Sequence, residues 1–338
     1  MKKVFYIFIL LFILFILIIV SISLGSVKID ISELTSMFMS IFSGIKGDFS
    51  EGHWNIVFLI RLPRILLACL VGASLAISGA TFQGFLRNPL ADPYIVGVSA
   101  GAALGAGCSF LFKLDTFIYF ISPTPFCAFI GAVFTVFLVY QLSLVRGKIP
   151  VDTFLLAGVI VGSFFWSLVS FIMFLTGEDL HKLIFWMMGS LSEKDWSHIL
   201  LILPYLLSGS VILWLYSRSL NIMTLGDESA HYLGLNVERT KFILICAASL
   251  VTASAVSVSG IIGFVGLIVP HMVRMIFGPD NRFLIPVSAI TGAILLVFSD
   301  TIARTIISPV ELPVGIITAL LGAPFFCYLL KKRKFSFF

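Results

Sequence analysis

Charge is scarce in this sequence. Lysine and arginine number 22 and aspartate and glutamate 17, together 12% of 338 residues, while 59% are hydrophobic. The mean hydropathy is +1.11. A soluble domain carries about 25% charged residues, so too little polar surface remains to wrap a water-soluble body of this length. Cysteine is also sparse: Cys69, Cys108, Cys127, Cys246 and Cys327 stand singly within apolar runs. With no C-x-x-C and no Cys/His ligand spacing, neither a zinc site nor a disulfide framework is indicated, and the five read as small buried hydrophobes. No G-x-x-x-x-G-K-[ST] occurs, which excludes a P-loop on this chain. Nor do the apolar runs hold the chain of Asp and Glu residues that proton-coupled carriers tend to use.

What the sequence has instead is long apolar runs. From Val4 to Leu24 there is no charge. A crossing of the hydrocarbon core needs roughly 20 apolar residues, whereas a signal-peptide core takes about 7–15. A retained helix over 4–24 is therefore expected, with a signal peptide as the competing reading. Further spans are predicted near 62–82, 95–112, 125–144, 153–175, 198–217, 241–259, 262–277, 283–299 and 312–330. The fold class is thus all-α, a single polytopic membrane domain over 1–338 with about ten spans.

An even number of spans places both termini on one side. If that side is the cytoplasm, the inner segments hold 14 of the 22 bases and six of the 17 acids, and the outer segments hold eight bases and 11 acids. This is the asymmetry of the positive-inside rule. It accounts for the basic pI, near 9.0, without nucleic acid. It also makes 25–55 an outer, periplasmic segment and 218–240 a cytoplasmic one. Small residues recur every four positions at Gly97, Gly101 and Gly105, and at Gly72, Ala76 and Ala80. Such rows let helix backbones approach closely and point to packing rather than to a substrate site.

Ionisable residues at membrane depth are costly and usually mark function. Arg61 and Arg64, in Arg61-Leu62-Pro63-Arg64, fall at the outer mouth of the second span. Their i, i+3 spacing places them on one helix face. They are either snorkelling anchors or partners for carboxylates, which arginine binds in planar bidentate pairs. Arg304 is a third outer arginine, with Asp300 four residues before it as a local partner. On the inner side, Arg87-Asn88-Pro89-Leu90-Ala91-Asp92-Pro93 breaks the helical pattern with two prolines, giving a polar turn that is either a plain connection or a gate. In the longest inner loop, Thr224 is expected to cap a short helix with Asp227 and Glu228 in its first turn and Gly234 at its end. That helix suits contact with a soluble partner.

Two motifs invite a hydrolase reading. Gly97-Val98-Ser99-Ala100-Gly101 matches G-x-S-x-G, and His271 is a lone histidine near the inner end of a span. The elbow motif, however, needs a strand-turn-helix context, and here it opens a membrane helix. No catalytic residues and no metal ligands are assigned.

Several segments then resemble the FecCD family, the permeases of type II ATP-binding-cassette importers for cobalamin, haem and ferric siderophores. They are Arg61-Leu62-Pro63-Arg64, the stretch from Gly72 to Gly79, Arg87-Asn88-Pro89-Leu90-Ala91-Asp92-Pro93 and Leu225-Gly226-Asp227. Further along come Leu233-Gly234-Leu235-Asn236-Val237-Glu238-Arg239, the stretch from Gly263 to His271, and Glu311-Leu312-Pro313-Val314-Gly315 with Leu321-Gly322-Ala323-Pro324. The resemblance runs from about 55 to 330.

It implies an inner-membrane homodimer of ten-helix subunits with two separate ATPase subunits on the cytoplasmic side. A periplasmic or lipid-anchored binding protein would dock outside. This chain would bind no cofactor itself; ATP and Mg would belong to the ATPase. By the same resemblance Arg61, Arg64 and Arg304 receive the binding protein's carboxylates. Thr224, Leu225, Gly226, Asp227, Glu228, Leu233 and Gly234 couple to the ATPase, and Asn88 and Leu90 form a cytoplasmic gate. Trp166, Ser163, Ser167 and Ser170 fall on the fifth span, which lines the path in that family. The competing functions are a stand-alone secondary transporter and, less favoured, an intramembrane hydrolase acting through Ser99 or His271.

Overall fold

Runs of Leu, Ile, Val and Phe that avoid water must satisfy their backbone N–H and C=O groups internally, which a helix does within one segment. The computed structural model describes residues 2–43, 49–114 and 123–334, and these are helical almost throughout. The chain opens with α1 (Lys2–Ser23), α2 (Ile31–Ser43), α3 (Glu51–Asn55), α4 (Leu62–Phe85), α5 (Val98–Leu111) and α6 (Pro123–Ser143). It continues with α7 (Val151–Leu175), α8 (Leu180–Met187), α9 (Trp196–Leu215), α10 (Ser217–Met223) and α11 (Asp227–Tyr232). It ends with α12 (Val237–Ser259), α13 (Val265–Phe277), α14 (Asn281–Thr305) and α15 (Val314–Lys334). Among the described residues the one β feature is an isolated bridge between Val145 and Lys148.

Among the described residues seven helices are long and apolar enough to cross a membrane, and three shorter apolar helices lie at Val98–Leu111, Val265–Phe277 and Val314–Leu329. Each of the ten expected spans falls on one of these. The largest difference in extent is at the second. Expected at 62–82, it belongs to a continuous helical stretch Glu51–Phe85 of 35 residues. The stretch survives Pro63 because Ile56–Arg61 is wound as a π-helix, in which the N–H of Leu62 reaches the carbonyl of Val57. Widening the turn just before the proline avoids the clash of its ring with the carbonyl four residues back. Arg61 and Arg64 therefore sit inside a continuous helix. The expected outer segment 25–55 holds α2 and α3, and its residues 44–48 lie outside the described ones.

The centre of the bundle is built on α4. It lies antiparallel to α14, with α12 and α13 on its other sides. The row of small residues does what its spacing predicts: a Cβ on Gly72 would lie 2.3 Å from the carbonyl oxygen of Gly292. The second row brings α5 onto α6, where a Cβ on Gly105 would lie 2.0 Å from the carbonyl oxygen of Cys127. The cysteines depart from expectation. All are free, none is fully buried, and Cys327 is exposed. Cys69 still packs against the buried core.

Ser99 occupies the first turn of α5 and is buried in helix packing. It has no strand-turn-helix elbow around it, which removes the structural context a serine hydrolase needs.

Candidate functional site

Chemistry-bearing side chains collect at the two ends of α4, about 35 Å apart at 1.5 Å per residue. One end carries the arginines. Because α4 and α14 run antiparallel, Arg64 meets Asp300 across 236 residues of sequence. Its Nε lies 3.1 Å from each carboxylate oxygen of Asp300 and its Nη2 2.9 Å from Oδ1. Nη1 donates to Glu311 Oε2 at 2.7 Å. That same oxygen accepts from Ser192 Oγ at 2.8 Å. Arg64 is 6% exposed and Asp300 1%, so the pair is buried and bidentate, the strong arrangement for a guanidinium.

The other two arginines turn toward α1 and the residues just after it. Arg61 donates to the carbonyls of Ile22 at 2.6 Å and of Ser23 at 3.3 Å, and also to Val27. The first two are carbonyls at the carboxyl end of α1, the end a helix leaves without partners and with partial negative charge. Arg304 donates to the carbonyl and hydroxyl of Ser21. Its Nε is 3.8 Å from Asp300, its expected local partner, and makes no hydrogen bond. All three arginines are thus buried and engaged within the chain. In this conformation none stands free to receive an outside carboxylate.

Glu311 lies between α14 and α15 and is the most open member of the cluster. Burial works to raise its carboxyl, but the charge and hydrogen bond of Arg64 outweigh it and hold the group below its ordinary 4.5. A carboxyl depressed in the folded state stabilises the fold above its unfolded value and loses that contribution as pH falls through the lower folded one. Melting temperature followed from pH 7 to pH 3 is therefore expected to fall more steeply for the unaltered chain than for Glu311→Gln.

The opposite end carries the turn after α4 and the loop 218–240. In the turn, Asn88 accepts from the N–H of Leu90 through Oδ1 at 2.9 Å, an Asx turn. Leu90 projects into the open. Asp92 caps the short 3₁₀ segment Pro93–Val96 by accepting from the N–H of Tyr94 at 2.8 Å. Burial pushes the Asp92 carboxyl up to about 6, with the Tyr94 bond opposing. An acid raised in this way destabilises the folded chain progressively as pH rises from its unfolded value toward 6. Asp92→Asn keeps the cap and removes the charge. It is expected to raise stability at pH 7.5 by about 1–2 kcal/mol, partial exposure screening the rest of the shift. At pH 4 it is expected to change little. Thermal melts at both pH values check this.

The loop is two short helices rather than one. Thr224 does not cap the second; it follows α10 and donates back to the carbonyl of Asn221 at 2.6 Å. The residue before α11 is Gly226, whose φ of +108° a side chain would resist. With φ at +83°, Gly234 ends α11 as expected, the N–H of Leu235 returning to the carbonyl of Ala230 at 3.1 Å. Asp227 and Glu228 do open α11, while Leu225 and Leu233 are exposed apolar residues on either side of it. Asp227 binds Lys241 at 2.6 Å and touches Arg87 at 3.5 Å.

Lys241 was not singled out by sequence, nor were Gln83, Arg274 and Asn221. Lys241 is 1% exposed. It also donates to the carbonyl of Ile149 at 2.8 Å and to Glu238 at 3.2 Å. The i, i+3 spacing of Glu238 and Lys241 was the available signal. Beside the turn, a cavity of about 680 Å³ is lined by Gln83, Arg87, Asn221, His271, Arg274 and Asp280 among others. Arg274 donates to Gln83 at 2.8 Å, and Asn221 joins Asp280 to Asn281. Among the described residues no group of His, Cys, Asp and Glu is placed to hold a metal ion.

Residues 13–332 match the FecCD transport family. The cobalamin import system permease protein BtuC of Halobacterium salinarum is 49% identical over 279 residues, 82% of this chain and 74% of that protein. The hemin transport system permease protein HmuU of Yersinia pestis is 39% identical over 318 residues, 93% of each chain. A solved structure described as an inward-facing metal-chelate type ABC transporter superposes with a TM-score of 0.84 at 32% identity, covering 96% of this chain and 98% of that one.

Proposed function

The chain belongs to the FecCD transport family, and from that premise we propose that it is the membrane-spanning subunit of an ATP-driven importer of a metal chelate in the cobalamin and haem class. Two copies enclose the path. Two separate ATPase subunits bind the loop end at α11, and an outer substrate-binding protein docks at the arginine end. All ten apolar helices cross, both termini are cytoplasmic and the membrane is the plasma membrane, which agrees with the excess of bases in the segments that would lie inside.

The observation that carries this reading is likeness over almost the whole chain. A chain of a solved metal-chelate type ABC transporter covers 96% of it, and relatives match over 82% and 93%. No covalent chemistry is assigned to the chain. ATP binding in the partner favours one arrangement of the helices and hydrolysis another, through differential affinity for the two. At the arginine end, Glu311 is the intramolecular carboxylate that a docking protein's carboxylate replaces on Arg64, because Asp300 is too deeply buried to be exchanged.

The test begins with the tagged chain in mild detergent. An ATPase bearing a P-loop should co-purify with it, one copy per permease. Vesicles holding that complex should then take up cobalamin, haemin or a ferric chelate only with ATP. A chain recovered alone under conditions that preserve a known complex, or uptake without ATP, points instead to a secondary transporter.

A further inference from the structure

Arg87 holds the position after α4 that glycine fills at least cost. Its φ is +51°. The N–H of Asn88 donates to the carbonyl of Gln83 at 3.1 Å and that of Arg87 to Gly84 at 3.3 Å, which is the Schellman closure of a helix. A side chain in this left-handed conformation carries strain that glycine avoids, and strain of this kind points toward function. What arginine adds is reach. Its Nη2 lies 3.5 Å from Asp227 Oδ1, and its Nη1 passes close to Gly226, where a Cβ would meet it at 3.6 Å.

The other oxygen of Asp227 is held differently. Lys241 Nζ donates to it at 2.6 Å, to the carbonyl of Ile149 and to Glu238 Oε1. Glu238 Oε2 in turn accepts from the N–H of Ile149 at 2.8 Å. All three protons of the ammonium are used, and they join α11, α12 and the 145–150 hairpin into one body. Stripping a buried ammonium of its partners is expensive. The contact with Arg87 is weak by comparison, since its two side chains are 40% and 39% exposed. When α11 is displaced, α12 and the hairpin go with it, and the strain falls on the link to Arg87.

We propose that Arg87 is a positioning residue that ties the 88–92 turn to Asp227. Displacement of α11 by a nucleotide-driven partner then reaches that turn, while Lys241 keeps α11 locked to α12. The proposal rests on reading the chain as an ATPase-driven permease.

The exposed Leu90 gives a readout that needs no substrate. The full complex with its co-purified ATPase, carrying Leu90→Cys and Cys327→Ser, is reconstituted in liposomes. It is then labelled with a membrane-impermeant maleimide, with and without ATP plus vanadate. The labelling rate should change with nucleotide when Arg87 is present. Arg87→Gly should shrink that change about two- to fivefold, the range open to loss of an exposed ion pair, and Arg87→Lys should keep most of it. Arg87→Gly should also melt no lower than the unaltered chain, because glycine relieves the backbone, and this separates a lost link from a damaged fold. An undiminished response in Arg87→Gly overturns the proposal and leaves the importer reading standing. So does a chain that keeps Arg87 and whose Leu90→Cys labelling ignores nucleotide while ATP is hydrolysed. Failure to recover any ATPase removes the importer reading and this proposal with it.

Discussion

Asp300→Ala is expected to destabilise the folded chain by about 3–5 kcal/mol, the range for breaking a buried ion pair by deleting one partner. The carboxylate is 1% exposed and takes three hydrogen-bond contacts from Arg64. Alanine would leave Arg64 buried with Glu311 alone, and Arg304 Nε, already without a hydrogen bond, would lose its nearest carboxylate. Glu311→Ala removes a carboxylate from the same guanidinium, but that side chain is 38% exposed, so it is expected to cost no more than about 1 kcal/mol. Thermal melts of the two variants in one detergent make the comparison. Equal small losses would mean that Arg64 is adequately compensated by whichever carboxylate remains, with water, and that the buried pair with Asp300 is not the dominant contact.

The arginine cluster shows how far a sequence carries such a site. Arg61 and Arg64 stood out because cations three apart on an apolar helix are rare, and Asp300 and Arg304 because they lie four apart. Local spacing offered Arg304 as the partner of Asp300. That pair forms as an ion contact at 3.8 Å, but the hydrogen-bonded partner is Arg64, because α14 packs antiparallel on α4 and brings the end of one helix to the start of the other. Nothing in the spacing of either helix encodes that register. Gly72 and Gly292 do record the close approach, but only once both helices are known to meet. Sequence offered the arginines as snorkelling anchors or as partners for carboxylates, whereas Arg61 and Arg304 also turn to Ser21, Ile22 and Ser23 on α1 and to Val27 just beyond it. Carbonyls at a helix end leave no trace in residue identity.

Extent and capping were legible to different degrees. Apolar runs placed the helices because the energetic demand on a run of roughly 20 residues is nonlocal and large. Ends depend on single residues. Gly234 ends α11 because few residues accept φ near +83°, a strong signal. Thr224 had the right side chain for a cap but lies two residues too early, since Gly226 makes the break. Pro63 looked like a start to the second span and is instead absorbed by a π turn. Asp227, Glu228, Asn88 and Leu90 share one end of the bundle, as their place in loops between spans required. The buried Lys241 that binds Asp227 was hidden among the ordinary bases of that side.

Gly79→Ala is the other substitution expected to act strongly, and it tests a contact the small-residue rows did not reveal. Gly79 lies outside the series Gly72, Ala76 and Ala80, yet its approach is the closer one. A Cβ there would lie 1.8 Å from the carbonyl oxygen of Gly266 and 2.6 Å from its carbonyl carbon. Those are backbone atoms, so no side-chain rotation relieves the clash, and α13 has to move away from α4. The seam is tight from the other helix too, since a Cβ on Gly266 would lie 2.6 Å from Pro93 Cγ and 2.9 Å from the carbonyl oxygen of Leu75. The shift would also pull on Gln83, which donates to the carbonyl of Leu267 at 3.0 Å. Overpacking costs about 1–3 kcal/mol and occasionally more, and a backbone-to-backbone clash belongs at or above the top of that range. Gly52→Ala is the control: nothing lies within 4 Å of its Cβ position. There the better helix propensity of alanine should stabilise by up to about 1 kcal/mol. Opposite shifts in melting temperature for the two variants are the expected result. A Gly79→Ala chain that melts with the unaltered protein would show that α13 is free to slide on α4, and that the Pro93 turn moves with it.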